Sequence, residues 1–217
     1  WAVPIDTSSG VSGLSNQMSP GDISLLSLSD EVAFRVRFDD VIPVPRQRYW
    51  RGLILDNFNG RTWSGDEPVF VAPGNRTVEY FGEPVSYQIT MEATRQRWVF
   101  ALDLPYEWSL PKAFQGQKLE LMRLQPIDQR TTFSVVSYPE FRLNHELRRY
   151  SRRSNLKMPP TANPRSVRLA QTMRTAAGSD EAYVEAVLQK FHNEEYFYTL
   201  EPPALGRNSV DEFLFES

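Results

Sequence analysis

From Glu31 the chain alternates strictly, with Val32, Phe34, Val36 and Phe38 on one side and Ala33, Arg35 and Arg37 on the other. A period of two marks a strand with one buried face. Asp39-Asp40 closes it. The apolar run Leu53-Ile54-Leu55 comes next, and Asn59-Gly60 supplies the positive φ angles that a tight two-residue hairpin turn demands, so the strands on either side of it pair. Trp50 and Trp63 flank that hairpin and read as cross-strand core residues rather than as a ligand platform. Further short strands are expected at Val69 to Ala72, Val78 to Phe81, Val85 to Met91, Arg97 to Ala101, Leu119 to Leu124 and Thr132 to Tyr138. Short strands punctuated by Gly, Pro and Asn predict an antiparallel β-sandwich or barrel-like domain.

After Pro164 the period becomes helical. Leu169, Ala170, Met173, Ala176 and Ala177 fall on one side of a first helix, and Gly178 is placed to end it. Ser179 starts a second helix whose apolar positions Val184, Val187, Leu188 and Phe191 form a stripe that must pack on something. Tyr196, Phe197, Tyr198 and Leu200 make an extended piece before the Pro202-Pro203 break. Ser209 then opens a last helix, with Glu212 three residues on completing a capping box. That helix carries Phe213, Leu214 and Phe215, which are expected to be poorly packed because their partner lies beyond Ser217. The chain therefore divides into an extended lead-in (1–30), an antiparallel β domain (31–150), and a linker with the first helices of an incomplete domain (151–217). The fold class is α+β.

Composition narrows the chemistry. Hydrophobic residues make up 41%, aromatics 12% and charged residues 24% of 217 residues, enough apolar material for a core. A net charge of −3 gives no basic footprint for nucleic acid. There is no cysteine and there are two histidines, so disulfides, thiolate metal sites and cysteine nucleophiles are excluded, and neither metal nor cofactor is expected. No apolar run is long enough to span a bilayer, so any membrane attachment would come through segments outside this chain. The start at Trp1-Ala2-Val3-Pro4 fits a segment of a longer protein as well as a processed N-terminus.

The remaining motifs carry little chemistry. Asp39-Asp40, at a strand end, faces solvent rather than forming an acid/base pair. Asp56, Asn59 and Gly60 suggest a calcium loop, but Phe58 stands where an oxygen ligand is needed. The basic cluster Arg148-Arg149, Arg152-Arg153 and Lys157 reads as a solvated linker rather than an anion site. The Asn75-Arg76-Thr77 sequon is assigned no role. His145 has no second ligand nearby, and His192 has no nucleophile to serve.

The order of elements from Pro159 onward, through Tyr196-Phe-Tyr-Thr-Leu to Ser209-Val-Asp-Glu-Phe-Leu-Phe-Glu, resembles the beginning of a bacterial transglutaminase-like (papain-like) domain. SPGDISLLSLSDEVAFRVRF (Ser19 to Phe38) and YWRGLILDNFNGRTW (Tyr49 to Trp63) are similar to the periplasmic region of TgpA-type protein-glutamine gamma-glutamyltransferases, bacterial inner-membrane proteins. The resemblance implies a Cys-His-Asp triad downstream of Ser217, in which the thiolate takes the acyl group of a protein glutamine and passes it to an amine. No member of that triad is present here, and neither His145 nor His192 matches the family's catalytic histidine. The chain alone is expected to be inactive. Its implied partners are the downstream part of the same polypeptide and the parent enzyme's protein substrates. Asp211, Phe213 and Phe215 would support the missing site, and the Tyr198 hydroxyl would help line its cleft. Two readings compete. In one, Trp50, Trp63, Tyr49, Trp98 and Trp108 form an aromatic platform for peptidoglycan or a partner protein. In the other, the β domain is a structural spacer.

Overall fold

The computed structural model describes residues 16–19, 32–65, 77–144, 149–197 and 203–216. Strands come first: β1 (Gln17–Met18), β2 (Phe34–Phe38), β3 (Trp50–Arg51), β4 (Asn57–Phe58), β5 (Trp63–Ser64), β6 (Thr77–Phe81), β7 (Val85–Met91), β8 (Trp98–Val99), β9 (Ala101–Leu102), β10 (Pro105–Trp108), β11 (Ala113–Gln115), β12 (Leu121–Arg123), β13 (Thr131–Ser137) and β14 (Glu140–Asn144). A short 3-10 turn lies at Pro45–Gln47, and four α-helices follow among the described residues: α1 (Arg149–Asn155), α2 (Pro164–Ala177), α3 (Asp180–Asn193) and α4 (Ser209–Phe215). The fold is α+β, as expected. The described strand pairings are all antiparallel. The strands form small sheets in the orders β10-β13-β7-β2, β1-β5-β4, β11-β12-β8, β14-β6 and β3-β9, and none closes into a barrel.

The core sits on one face of the β10-β13-β7-β2 sheet. Along β7, Tyr87, Ile89 and Met91 are fully buried while the residues between them are not. The register sets Phe34 opposite Met91, Val36 opposite Ile89 and Phe38 opposite Tyr87, so the alternation of β2 points its apolar face into the same core. Phe133 and Val135 of β13 join from the other side. Arg35 and Arg130 pair with Glu92, and the Thr90 and Thr132 hydroxyls meet at 2.8 Å. Inside, the Tyr87 hydroxyl accepts from the Leu102 N–H at 2.7 Å and donates to Ser137 Oγ at 3.1 Å, while the Ser137 hydroxyl donates to the Leu102 carbonyl at 2.7 Å. This closed ring satisfies every polar atom that the burial of Tyr87 takes from water. Burial pushes the Tyr87 phenol up from 10.0 to about 12. Trp50 packs edge-on to both Phe34 and Tyr87, which makes it a core residue.

Several local features differ from the sequence reading. The 97–101 candidate is split into β8 and β9, and β10, β11 and β14 were not foreseen. Val69 to Ala72 and the Asn75-Arg76 part of the sequon lie outside the described residues. The hairpin turn is displaced by one position. Phe58 faces Trp63, and the Asn59 N–H donates to the Thr62 carbonyl, which leaves Gly60 and Arg61 as the central pair. Gly60 alone takes a positive φ there (107°), and the Asn59 side chain accepts from the Arg61 and Thr62 amides. Where a solvated linker was expected, Arg149–Asn155 is helical, with Arg152 and Arg153 exposed.

The helices begin and end largely as their caps dictate. Gly178 (φ 76°) follows α2, and the Ser179 hydroxyl accepts from the Ala182 N–H at 3.1 Å at the start of α3. The last helix departs from the capping-box expectation. Asn208 is its cap residue, Ser209 is already helical and buried, and the Glu212 carboxylate accepts from Gly206 N–H instead of reaching Ser209. A second departure concerns the face of α3. The positions turned inward are Tyr183, Ala186, Val187 and Lys190, so the helix is rotated by about one residue, roughly 100°, from the stripe read in the sequence. Val184 and Leu188 are left 56% and 63% exposed.

Candidate functional site

The tip of the β4–β5 hairpin meets the starts of α2 and α4, and the residue at their meeting point is Asn163. It is 1% exposed and has a left-handed backbone (φ 52°), a conformation that asparagine tolerates better than most side chains. Pro164 behind it opens α2 with a ring that needs no hydrogen-bond partner. The Asn163 side chain donates from Nδ2 to the Gly60 carbonyl at 2.8 Å. Its Oδ1 accepts from the Val210 and Asp211 amides at 3.0 and 3.4 Å, and its own N–H donates to Asn208 Oδ1 at 3.0 Å. One buried amide thus ties the hairpin tip to the first turn of α4. Removing it would strand buried donors and acceptors, at a cost of about 1–3 kcal/mol each.

Asp211 completes the junction from the other side. It is 4% exposed, and its carboxylate accepts from the Arg165 N–H at 3.0 Å, the Ser166 N–H at 2.7 Å and the Ser166 hydroxyl at 2.6 Å. These are the free amides of the first turn of α2, so a residue of α4 acts as the cap of α2. Burial pushes the Asp211 carboxyl up. The bonds from Ser166 and the two amides, with the charge of Arg165, outweigh burial and hold it below the ordinary value. Arg61, at the turn, donates to the carbonyls of Leu205 and Gly206 and so draws the 203–208 segment onto the hairpin. Space is equally restrictive. A methyl group on Gly60 would come within 2.6 Å of the Ala162 Cβ.

Beside this junction lies an apolar groove of about 280 Å³ between the hairpin and the helices, walled by Phe58, Trp63, Met173, Tyr183, Phe191 and Leu214 among others. Phe58 and Trp63 stack at 4.7 Å to form its β-side wall. From Phe191 in its wall a chain of rings runs through Tyr196 at 5.0 Å to Phe213 at a further 5.3 Å. The groove can hold apolar groups. Among the described residues it brings together no nucleophile with a base, and no cluster of carboxylates and histidines suited to a metal ion.

The sequence-derived candidates are thereby distributed as follows. Asp211 is a cap within the junction. Phe213 and Phe215, on α4, stay 41% and 39% exposed, Phe213 touching Tyr196 and Phe215 lying under the Arg165 guanidinium at 4.3 Å. Tyr198 and His145 lie outside the described residues. The five aromatics considered as a platform do not form one. Trp50 and Trp108 pack on the core, Trp98 is buried with its indole N–H donating to Asn16, Tyr49 is exposed, and Trp63 lines the groove. Asn163 and Arg61 were not singled out from the sequence. The one sequence signal for Asn163 is its place before Pro164 and a helix. Its distant partners cannot be read from that position.

The family model described as the TgpA N-terminal domain matches residues 1–144. Over its full length the chain is 37% identical to a protein-glutamine gamma-glutamyltransferase of Pseudomonas aeruginosa, of which it spans 32%. Two crystal structures of the periplasmic domain of TgpA from Pseudomonas aeruginosa superpose on it at 36% identity. The one bound to ethylmercury gives a TM-score of 0.85, over 94% of this chain and 72% of that one. The other gives 0.88, over 95% and 71% respectively.

Proposed function

The chain belongs to the TgpA N-terminal domain family, and from that premise we propose that it is the non-catalytic portion of a periplasmic, membrane-anchored transglutaminase. Its β domain and helices form the bed on which the catalytic part of the same polypeptide is laid down. The observation that carries this reading is the apolar face left open on the helices. Val184, Leu188 and Phe191 stand exposed along one stripe of α3, and Phe191 leads through Tyr196 to Phe213 on α4. Exposed apolar residues gathered on one face mark a surface that another element covers.

The reaction served is acyl transfer from a protein glutamine. A downstream cysteine thiolate attacks the carboxamide carbon, ammonia leaves, and the resulting thioester is opened by an amine that takes the acyl group and returns the thiol. With no cysteine in 217 residues, this chain supplies none of the bond-making groups. Its part is to hold the segment that leads into them. Among the described residues no helix is long and apolar enough to cross a membrane, and the reading assigns anchoring to segments outside this chain.

A direct test compares the full-length polypeptide with the 217-residue chain in the presence of a glutamine donor and an amine acceptor. The full-length protein is expected to release ammonia and the chain alone to match the blank. Turnover by the chain alone, or none by the full-length protein, overturns the reading.

A further inference from the structure

Resting on that reading, we propose that Asn163 is a positioning residue, the one that fixes α4 to the hairpin tip and so sets the path of the polypeptide leaving Phe215. Asn163 bonds to two distant segments at once. Its side-chain amide and backbone N–H engage Gly60, Asn208, Val210 and Asp211, which lie on two segments about 45 and 103 positions away in sequence. No other described residue joins the hairpin to the first-turn amides of α4 through one side chain. Arg61 holds only the 203–208 approach, and Asp211 binds only α2.

The groups are also held without slack. Asn163 is buried, its left-handed backbone restricts what can replace it, and Gly60 approaches Ala162 so closely that no side chain fits between them. A seven-residue helix such as α4 is too short to define its own direction. Its orientation is therefore inherited from what grips its first turn: the bonds of Asp211 hold that turn to α2, and Asn163 is the grip that holds it to the hairpin tip. The groove wall built from Phe58 and Trp63 and the helix α4 are consequently parts of one rigid unit rather than neighbours in passive contact.

The substitutions that isolate this role are Asn163→Gly and Gly60→Ala, made in the full-length polypeptide. Glycine keeps the left-handed backbone at no cost while removing all side-chain bonds, so its effect is not one of backbone strain. Alanine at 60 pushes the tip away from the opposite side. Two readouts are needed. In hydrogen exchange, Asn163→Gly should speed exchange of the 208–215 amides by tenfold or more while α3 keeps its wild-type rate. In glutamine acyl transfer, it should lower kcat at least tenfold with KM within twofold, because substrate contacts are untouched while the reacting groups are misplaced. Gly60→Ala should do the same, and the double variant should be no worse than either single one. Unchanged exchange at 208–215, or faster exchange with wild-type kcat, overturns the positioning role. A wild-type protein that transfers no acyl group refutes the transglutaminase reading instead, and the exchange pattern still decides whether Asn163 grips α4.

Discussion

At the scale of single residues, the last helix shows how a plausible sequence motif differs from the contact that forms. A capping box at Ser209 and Glu212 would make the Ser209 hydroxyl a structural acceptor worth about 1 kcal/mol. In the structure that hydroxyl is buried with no hydrogen-bond partner among the described residues, and the Asn208 side chain is the one engaged, with Asn163. Ser209→Ala is therefore expected to leave the thermal midpoint unchanged or slightly raised, since an unmade buried hydrogen bond is removed. Asn208→Ala is expected to cost about 1 kcal/mol. Equal losses in a thermal unfolding comparison would restore the capping-box view.

Tyr87 makes a second residue-scale prediction, on the alkaline side. Its phenol is raised from 10.0 to about 12 by burial, so between these values the unfolded chain sheds a proton that the folded chain keeps. Stability from this group is full below about pH 10 and falls as pH rises toward 12, by about 2–3 kcal/mol in all. Urea unfolding of Tyr87→Phe across that range should show a shallower decline than the wild type. Equal slopes would mean that the ring with Leu102 and Ser137 opens before the phenol ionises.

At the scale of elements, legibility followed the number of positions that carried a pattern. β2 and β7 alternate over five and seven residues, and the matching registers turn Phe34, Val36 and Phe38 to the same side as Tyr87, Ile89 and Met91. The helices α2 and α3 were bounded by residues with a mechanism, Gly178 and Ser179. Two-residue strands such as β3, β8 and β9 offer no period to read, and they form because distant strands offer them backbone partners. The one-position displacement of the hairpin turn has a similar origin. Asn59 serves the turn through its side chain, which leaves Gly60 to supply the positive φ by itself. The inward face of α3 was misread because helix periodicity identifies an apolar stripe without saying what covers it. Contact with α2 selected Tyr183, Ala186 and Val187 and left the more apolar edge outside.

At the scale of the whole molecule, the α+β class and the order of strands before helices were legible, because both follow from where the period changes. The junction was not. Asn163, Asp211, Arg61 and Gly60 are ordinary residues one by one, and their significance lies in separations of 45 to 145 positions that only folding brings together. An apolar patch can be suspected from a sequence, whereas a buried amide bridging two segments cannot. The same distinction separates the two halves of the functional reading. The exposure of Phe213 and Phe215 could be anticipated, and the contacts that hold the first turn of α4 could not.

That open face also governs how the isolated chain behaves in concentrated solution. With Val184, Leu188 and Phe197 exposed and a net charge of only −3, little electrostatic repulsion opposes contact between copies. Light scattering on the 217-residue chain should give a negative second virial coefficient that becomes more negative with added salt. Leu188→Glu should move it toward positive values without altering the thermal midpoint. An exposed apolar surface is a source of colloidal attraction, and handling the chain at high concentration would call for that substitution.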